Sequence, residues 1–297
     1  MNSPSSPIDN GRLIAPTSFQ TTDASMGKLL QDAGKLTPHD MERILKLQHE
    51  QSLRFGEAAV KLGLVTEADI QQALSLQFDY PYLADGREGL SQKLVTAISP
   101  YSKEAEALRS VRSQLLLRWF KQGRKTLAIS CAIKDEGASY LAANLAVLFA
   151  QSGQKTLLVD TDMRDPQQHQ IFNLGNSKGL SDILARRAEA TIANPIKSFP
   201  TLSILSSGSP PPNPAELLMR PSFGALLNSL EQSYEVILID TAPSQNVSDI
   251  QSVAVQTGGV LLSVRRNKSK LAALVELKEK ITVTGAKVIG AVVLDQT

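Results

Sequence analysis

The sequence predicts an α/β fold with a doubly wound, mostly parallel sheet, preceded by a small all-α module. Three observations support this prediction. From Thr126 onward, short β-branched segments alternate with helical stretches. Several of these segments are almost entirely apolar, as is typical of strands that are covered on both faces. Before them, residues 25–78 contain an internal repeat in which Gly27 and Gly56 occupy matching positions.

Composition fits a folded chain of about two domains. The 297 residues are 42% hydrophobic and 20% charged, which is enough apolar material for a sizeable core. No apolar run approaches the roughly 18 residues of a membrane span, and the N-terminus does not resemble a secretory signal. A single cysteine, Cys131, with three histidines argues against disulfides and against a zinc cluster. We therefore expect a disordered tail over 1–22, a helical module over 23–82, a linker over 83–102 and an α/β domain over 103–297.

The near-neutral net charge of +2 conceals a local basic segment. Residues 99–125 carry seven basic and two acidic side chains, and a basic helix is expected from about Lys103 to Gln122. Because the excess is confined to one segment, it does not indicate a nucleic-acid-binding surface.

Each unit of the repeat is predicted to be a short helix that ends at a glycine and is followed by a capped helix. Thr37 and Thr66 are candidate N-caps, and Asp40 and Asp69 stand three residues later, as in a variant capping box. Pro38 suits the first position of a helix, where its missing N–H costs nothing. The repeat therefore predicts a module of four helices.

The alternating pattern gives the order of elements in the α/β domain. Strands are predicted at 126–131, 155–160, 202–205, 235–240, 259–264 and 287–293. Helices are expected near 139–151, 179–187, 222–232, 248–256 and 270–282.

A candidate anion-binding loop follows the first of these strands. It ends in Gly137-Ala138-Ser139 at the start of a helix, where backbone N–H groups would face an anion. A phosphate-binding loop ends in Gly-Lys-Ser/Thr, so alanine stands in place of the lysine here. A plain glycine turn between strand and helix is the alternative interpretation.

Carboxylates follow two later strands. Asp160 and Asp162 leave the end of one buried strand, and Asp240 ends another. Such positions open on the crevice where parallel sheets bind ligands, and paired carboxylates there suit Mg²⁺ and a proton acceptor. The alternative is that these aspartates cap helices or loops. The order and spacing of the three motifs favour a nucleotide-binding, P-loop NTPase-like fold.

Residues 104–295 resemble the cytoplasmic domain of bacterial tyrosine kinases (BY-kinases), and in particular the EpsG-type chain-length-determinant kinases of exopolysaccharide systems. The resemblance covers about two thirds of the chain. It is carried by Glu106-Ala-Leu-Arg109-Ser-Val-Arg112, Asp135-Glu-Gly-Ala-Ser139, Ala142-Ala-Asn-Leu-Ala146, Leu158-Val-Asp-Thr-Asp-Met-Arg164, Ser207-Gly-Ser-Pro-Pro-Pro-Asn-Pro-Ala-Glu-Leu-Leu218 and Ile239-Asp-Thr-Ala-Pro243.

This resemblance implies phosphoryl transfer from Mg²⁺-ATP to tyrosine in the control of polysaccharide chain length, polymerisation and export. Ser139 would ligate magnesium, and Asp160 would hold it through water and act on the attacking hydroxyl. Asp162 would assist, and Asp240 would complete the metal site. The nucleotide-binding residues would be Lys134, Asp135, Glu136, Gly137, Ala138, Ser139 and Tyr140.

The resemblance also implies partners. Glu106, Arg109 and Arg112 match a signature used for subunit contact, which predicts a homo-oligomer; a solvated amphipathic helix is the alternative for the charges around them. A Wzc-type chain-length-determinant membrane protein would act as activator. The chain would then be cytoplasmic, without a transmembrane segment of its own, and peripheral to the inner membrane through that partner.

Three departures leave the enzymatic assignment open. Ala138 removes a positive charge beside the phosphates, for which Lys134 could partly substitute. The last tyrosine is Tyr234, so autophosphorylation of a tyrosine-rich tail is not expected. Asp135 stands where the family has glycine, and its carboxylate would repel a triphosphate unless turned away. The alternatives are a degenerate kinase acting as a regulatory subunit or sensor and, ranked lower because Ile133 replaces a signature lysine, a MinD/ParA-type positioning ATPase.

The N-terminal repeat is similar to the MshEN-type module of type II secretion and pilus ATPases. That resemblance implies a cyclic di-GMP site, with Arg54, Gly56, Gly63 and Gln77 as its candidate residues. A helical module that docks a protein is the alternative.

Overall fold

The computed structural model describes residues 26–77, 89–175, 178–189, 194–245 and 247–295. The chain divides into two compact units, Met1–Phe78 and Asp79–Thr297. The tail predicted over 1–22 lies outside the described residues. Among the helices of the described ranges, none is long and apolar enough to cross a membrane.

The described part of the first unit consists of four helices around a small apolar core. Leu30, Ile44, Ala58 and Ala59 are buried at its centre. The helices are α1 (Met26–Asp32), α2 (Pro38–Gln51), α3 (Phe55–Lys61) and α4 (Glu67–Gln77).

The predicted capping interactions are present in both repeats. The Thr37 hydroxyl accepts from the Asp40 N–H at 3.2 Å, and the Asp40 carboxylate accepts from the Thr37 N–H at 3.0 Å. Thr66 and Asp69 repeat this arrangement at 3.2 and 2.8 Å. The Thr37 and Thr66 hydroxyls also donate to these carboxylates at 2.6 Å, and these bonds, with those from the backbone N–H groups of the threonines, lower the pKa of both aspartates. Each repeat therefore fixes the start of its second helix with local side chains alone.

The second unit is a seven-stranded sheet with helices around it, as the alternating pattern predicts. The strand order is β3-β4-β2-β5-β1-β6-β7, and every neighbouring pair is parallel except β3 with β4. The strands are β1 (Thr126–Cys131), β2 (Thr156–Asp160), β3 (Asn194–Ile196), β4 (Phe199–Leu205), β5 (Val236–Asp240), β6 (Gly259–Arg265) and β7 (Lys287–Leu294). The helices are α5 (Val95–Ile98), α6 (Lys103–Arg118), α7 (Ala138–Gln151), α8 (Gln168–Ile171), α9 (Leu180–Leu184), α10 (Pro214–Met219), α11 (Pro221–Leu230), α12 (Val247–Thr257) and α13 (Leu271–Thr282).

The sequence did not predict β3, α5, α8 or α10. β3 has only three residues, includes Pro195 and lies antiparallel at the edge of the sheet. Proline is tolerated on an edge strand because its missing N–H is not needed by a second neighbour. The basic helix predicted to reach Gln122 ends at Arg118, and a short 3₁₀ turn follows before Gly123. The elements that were not predicted have three to six residues each, which is too few for a periodic signal.

The predicted linker over 83–102 is wrong for the part of it that the structure describes. Leu90, Leu94 and Ala97 are buried in the core of the second unit. The Thr96 N–H and hydroxyl donate to the Asn144 side-chain oxygen at 3.0 and 2.9 Å, on the buried helix α7. This segment is therefore part of the α/β unit.

A buried tryptophan fastens the end of α6 to the sheet. Trp119 is 2% exposed, and its indole N–H donates to the Thr126 carbonyl at 2.8 Å. The Arg124 guanidinium lies 4.2 Å from the ring centre. Gly259, at the start of β6, packs so closely that an added Cβ would lie 2.3 Å from the indole. Only glycine therefore fits under this ring.

We expect Gly259→Ala to destabilise the second unit by about 1–3 kcal/mol, because a methyl group would overpack the Trp119 contact. Urea unfolding followed by Trp119 fluorescence would show a lower midpoint. Gly175→Ala is the matched control, since an added Cβ there would meet nothing within 4 Å. Equal midpoints for the two variants would contradict the prediction.

Candidate functional site

A cleft of about 970 Å³ opens at the carboxyl end of the sheet. The loop between β1 and α7 forms one wall, and the segment after β2 forms another. β2 and β5 are neighbours in the sheet, and their last residues, Asp160 and Asp240, are paired in register. The topology therefore brings the three predicted motifs to one place.

The β1–α7 loop has the backbone of an anion-binding loop. Gly137 has φ +84° and Asp135 has φ +63°, so both lie in the left-handed region. A Cβ on Gly137 would lie 2.6 Å from the Leu294 side chain and would also be strained by the positive φ, so both the space and the backbone favour glycine here. α7 begins at Ala138, and the free N–H groups of its first turn form a positive helix end. We refer to residues 132–139 as the phosphate loop.

A buried carboxylate braces this loop from within. Glu136 is 0% exposed, and its Oε2 accepts from the backbone N–H groups of Ala132 and Ile133 at 2.8 and 3.0 Å. Its Oε1 accepts from the Ser269 hydroxyl, and the Ser263 hydroxyl donates to its carbonyl at 2.7 Å. Because the Glu136 carboxylate is occupied by these hydrogen bonds, only the Glu136 backbone is left to make the predicted nucleotide contact.

The two strand-end aspartates are fully buried beneath the cleft. The Oδ1 of Asp160 accepts from the Asp162 N–H at 3.1 Å, and its Oδ2 accepts from the N–H groups of Gln167 and Gln168 at 3.1 and 3.0 Å. Asp162 is 7% exposed, lines the cleft, and accepts from the Arg164 and Asp165 N–H groups at 3.1 and 2.9 Å.

Gln168 connects all three predicted metal ligands, and the sequence analysis missed it. Its side-chain N–H₂ donates to Asp240 Oδ2 at 2.7 Å and to the Ser139 carbonyl at 3.1 Å. Its backbone N–H holds Asp160, as described above. Two oxygens of this cluster, Asp240 Oδ1 and Gln168 Oε1, are buried and have no hydrogen-bond partner among the described residues. No motif signals a glutamine at this position, so only the tertiary structure could reveal it.

Burial makes this cluster electrostatically unusual. It raises the pKa of Asp240 to about 7, although the hydrogen bond from Gln168 and the nearby Ser139 side chain favour the charged form. Burial and the neighbouring Asp240 charge raise the pKa of Asp160, and burial raises that of Asp162. A cation bound here would stabilise the charged carboxylates and would compete with protons.

These residues fit a hydrated Mg²⁺ ion. The unpartnered Asp240 Oδ1, the Asp160 carboxylate and the Ser139 hydroxyl are the hard oxygen groups that magnesium prefers. No group of three His, Cys, Asp or Glu side chains in the described ranges could hold a metal alone. That is compatible with magnesium, which keeps several waters and binds through one or two carboxylates plus substrate phosphates.

Three other residues that were predicted to bind nucleotide interact with side chains of the protein itself. The Lys134 ammonium pairs with the Asp165 carboxylate at 2.5 Å, which raises the pKa of Lys134. The Asp135 carboxylate lies 3.7 Å from the Lys268 ammonium, and the Asp135 side chain is 66% exposed. Asp135 therefore has a cation partner within the protein. The Tyr140 hydroxyl donates to Glu104 at 2.7 Å, on α6.

The predicted subunit-contact residues also make contacts within their own unit. Glu106 accepts from Arg109 at 2.6 Å, and Arg109 also donates to the Pro100 carbonyl. Arg112 donates to the Leu148 carbonyl at 3.4 Å and to the Ser152 hydroxyl, at the carboxyl end of α7. Assembly through these residues stays a prediction.

In the first unit, packing and backbone conformation account for the candidate glycines. A Cβ on Gly56 would lie 3.1 Å from Ile70, and Gly63 has φ +67°. The Arg54 N–H donates to Glu57 at 2.9 Å as α3 begins. The side chain of Gln77 lies outside the described residues. Cyclic di-GMP binding stays a prediction.

Comparison with known proteins identifies the family. Over 195 residues the chain is 36% identical to the putative tyrosine-protein kinase CapB of Staphylococcus aureus, which covers 65% of this chain and 85% of that protein. The chain belongs to the bacterial tyrosine-protein kinases. A scan against protein-family models gives no match.

Solved structures agree with this membership in the kinase family. The kinase domain of the Escherichia coli tyrosine kinase ETK superposes with a TM-score of 0.65 and 28% identity, over 68% of this chain and 79% of that one. MinD of Pyrococcus horikoshii, solved with Mg-ADP, superposes with a TM-score of 0.50 and 20% identity, over 57% of this chain and 70% of that one. The second likeness shows the fold alone. The chain therefore has a P-loop-like α/β fold and is grouped with the kinases.

We expect Gln168→Met to weaken Mg²⁺ binding about tenfold, because methionine fills a similar volume but cannot orient Asp240. The measurement is the Mg²⁺ concentration that half-saturates the Mg²⁺-dependent part of nucleotide binding. Nucleotide affinity in EDTA and the thermal midpoint should stay close to wild type. A variant with unchanged Mg²⁺ dependence would show that Gln168 only fills space.

Proposed function

We propose that this chain binds Mg²⁺-ATP in the cleft and transfers its γ-phosphoryl group to a tyrosine hydroxyl, in the control of polysaccharide chain length, polymerisation and export. The observation that carries the proposal is the convergence of Ser139, Asp160 and Asp240 around one glutamine, with Asp240 Oδ1 unpartnered. The membership of the chain in the bacterial tyrosine-protein kinases also supports the proposal. A buried acceptor without a donor, beside an anion-binding loop, suits a metal that accompanies phosphates.

Each group has a task in this chemistry. The N–H groups of the phosphate loop and of the α7 start bind phosphate oxygens. Bound Mg²⁺ would neutralise charge on those oxygens as the phosphoryl group moves. Ser139 and Asp240 would hold the metal, and Asp160 would hold it through water. Asp160, whose raised pKa suits it to accept a proton, would also act on the attacking hydroxyl. Asp162 assists from the cleft wall.

The proposal includes partners. A chain-length-determinant membrane protein of the Wzc type would activate the kinase, and copies of the chain would assemble through Glu106, Arg109 and Arg112. Glu106 supports this role, since its side chain is 70% exposed and available to a second copy. The two arginines would have to exchange some of their present contacts.

The test is incubation of the full chain with Mg²⁺-ATP and a tyrosine copolymer, followed by phosphotyrosine detection. Phosphotyrosine that requires both Mg²⁺ and Asp160 supports the proposal. Nucleotide binding without any phosphotyrosine, even with the membrane partner added, would replace it by the regulatory-subunit alternative, which Ala138 favours. Absence of nucleotide binding would overturn the proposal altogether.

A further inference from the structure

The cleft lacks the lysine that usually faces the phosphates, yet four cations line it. Ala138, in the position of that lysine, is 5% exposed and carries no charge. The four cations are Lys93, Lys134, Arg164 and Arg265. A phosphoryl-transfer site without a fixed positive charge would stabilise its anionic ligand poorly. One of these side chains should therefore carry that task. Lys93 is exposed, and among the described residues its ammonium makes no hydrogen bond or ion pair that would hold it against the phosphate loop.

Two of the four already have carboxylate partners. Lys134 pairs with Asp165 at 2.5 Å, which disfavours the substitution that the sequence suggested for it. Arg164 pairs with Asp249 at 3.1 Å, and the Asp249 carboxylate is buried with 2% of its side chain exposed. Breaking the second pair would leave a buried charge uncompensated, which is costly.

Arg265 differs from both. It stands at the end of β6 and is half-buried, and its Nη1 donates to the Asp135 carbonyl at 3.0 Å. Among the described residues no carboxylate lies within 4 Å of its guanidinium, so its charge meets only a neutral carbonyl. Lys268 donates to the same carbonyl at 3.4 Å, but it also has the Asp135 carboxylate as partner and does not line the cleft.

The backbone at Arg265 is also held in place. The Arg265 N–H donates to the Ser269 hydroxyl at 2.8 Å, and that hydroxyl donates to the buried Glu136 of the phosphate loop. The end of β6 and the phosphate loop are therefore linked through two separate hydrogen-bonded paths. A guanidinium has five donors, so one bond to the loop leaves others for a ligand in the cleft.

Resting on the proposed function, we propose that Arg265 is the nucleotide-binding cation of this cleft and supplies, from the β6 side, positive charge that Ala138 does not. Its bond to Asp135 places it against the loop backbone that receives the phosphates. The ligand it recognises is the anionic part of a nucleoside di- or triphosphate. No sequence motif points to Arg265, because it lies 130 residues from Asp135 in the chain.

The test is titration of a fluorescent ADP analogue with Mg²⁺ into the full chain. We expect Arg265→Gln to weaken binding about tenfold or more, because glutamine can still donate to the Asp135 carbonyl but has no charge. Arg265→Lys should lose less than Arg265→Gln. Arg220→Gln is the matched control, since Arg220 also donates to a backbone carbonyl, that of Leu184, and does not line the cleft.

A double-mutant cycle distinguishes charge supply from bracing of the loop. In an Ala138→Lys background, the effect of Arg265→Gln should shrink to about threefold or less, because the new lysine provides the missing charge. An undiminished effect there would mean that Arg265 only braces the loop, and would overturn the proposal. If the wild type and the Arg265→Gln variant bind the ADP analogue with equal affinity, the proposal is also overturned, but the proposed function is not. Absence of binding by the wild type would refute the proposed function and this inference together.

Discussion

Asp160→Asn is expected to reduce phosphotyrosine formation by at least about a hundredfold, the largest loss we expect of any single substitution. The carboxylate is fully buried and lies next to Asp240 on the neighbouring strand. Asparagine keeps the shape but removes the charge that would hold magnesium and the group that would accept the hydroxyl proton. Its amide nitrogen would also face backbone N–H groups that now donate to a carboxylate.

The control is Asp182→Asn. Asp182 is another buried aspartate, 5% exposed, and it accepts from the Gly179 and Ser209 N–H groups at 3.1 and 3.0 Å. It does not line the cleft, so its variant should retain activity in proportion to the folded fraction. Thermal midpoints of both variants separate unfolding from loss of chemistry. Wild-type rates in a folded Asp160→Asn protein would contradict the assignment of this residue.

Ala138→Lys is expected to tighten Mg²⁺-ATP binding about tenfold or more and to raise the rate of transfer. Ala138 is the first residue of α7, where a lysine side chain could turn into the cleft. A fixed positive charge beside the phosphates is worth several kcal/mol in a site that excludes water, and part of that gain appears only in the transition state. Calorimetry gives the affinity, and the phosphotyrosine assay gives the rate.

Ala138→Met is the control for this substitution. Methionine must fit the same 5% exposed position with a similarly long side chain, but it brings no charge. Any strain from the longer side chain should therefore be common to both variants. Equal ATP affinities of the lysine and methionine variants would show that charge is not what this position lacks.

The failures of sequence reasoning have identifiable causes. The predicted linker follows Pro81 and contains the pair Asp85-Gly86 and Pro100, and these turn-forming residues outweighed the short apolar pattern of Leu90, Leu94 and Ile98. The burial of its described part depends on α7, whose Asn144 lies 48 residues beyond Thr96. Similarly, the sequence could not show that Lys134 pairs with Asp165 at 2.5 Å. Pairing between side chains from different segments has no signature in a single sequence.

Two kinds of information can therefore be separated for this protein. The sequence by itself determined the strands of the parallel sheet, the two capping boxes and the positions of the phosphate loop, Asp160 and Asp240. These depend on local hydrophobic period, local hydrogen bonds and the rule that parallel strands end at one edge. Only the tertiary structure decided which side chains meet there, namely Gln168 between the ligands and Arg265 on the phosphate loop. Those contacts arise from the packing of segments far apart in the chain, where small shifts of backbone decide which polar group finds a partner.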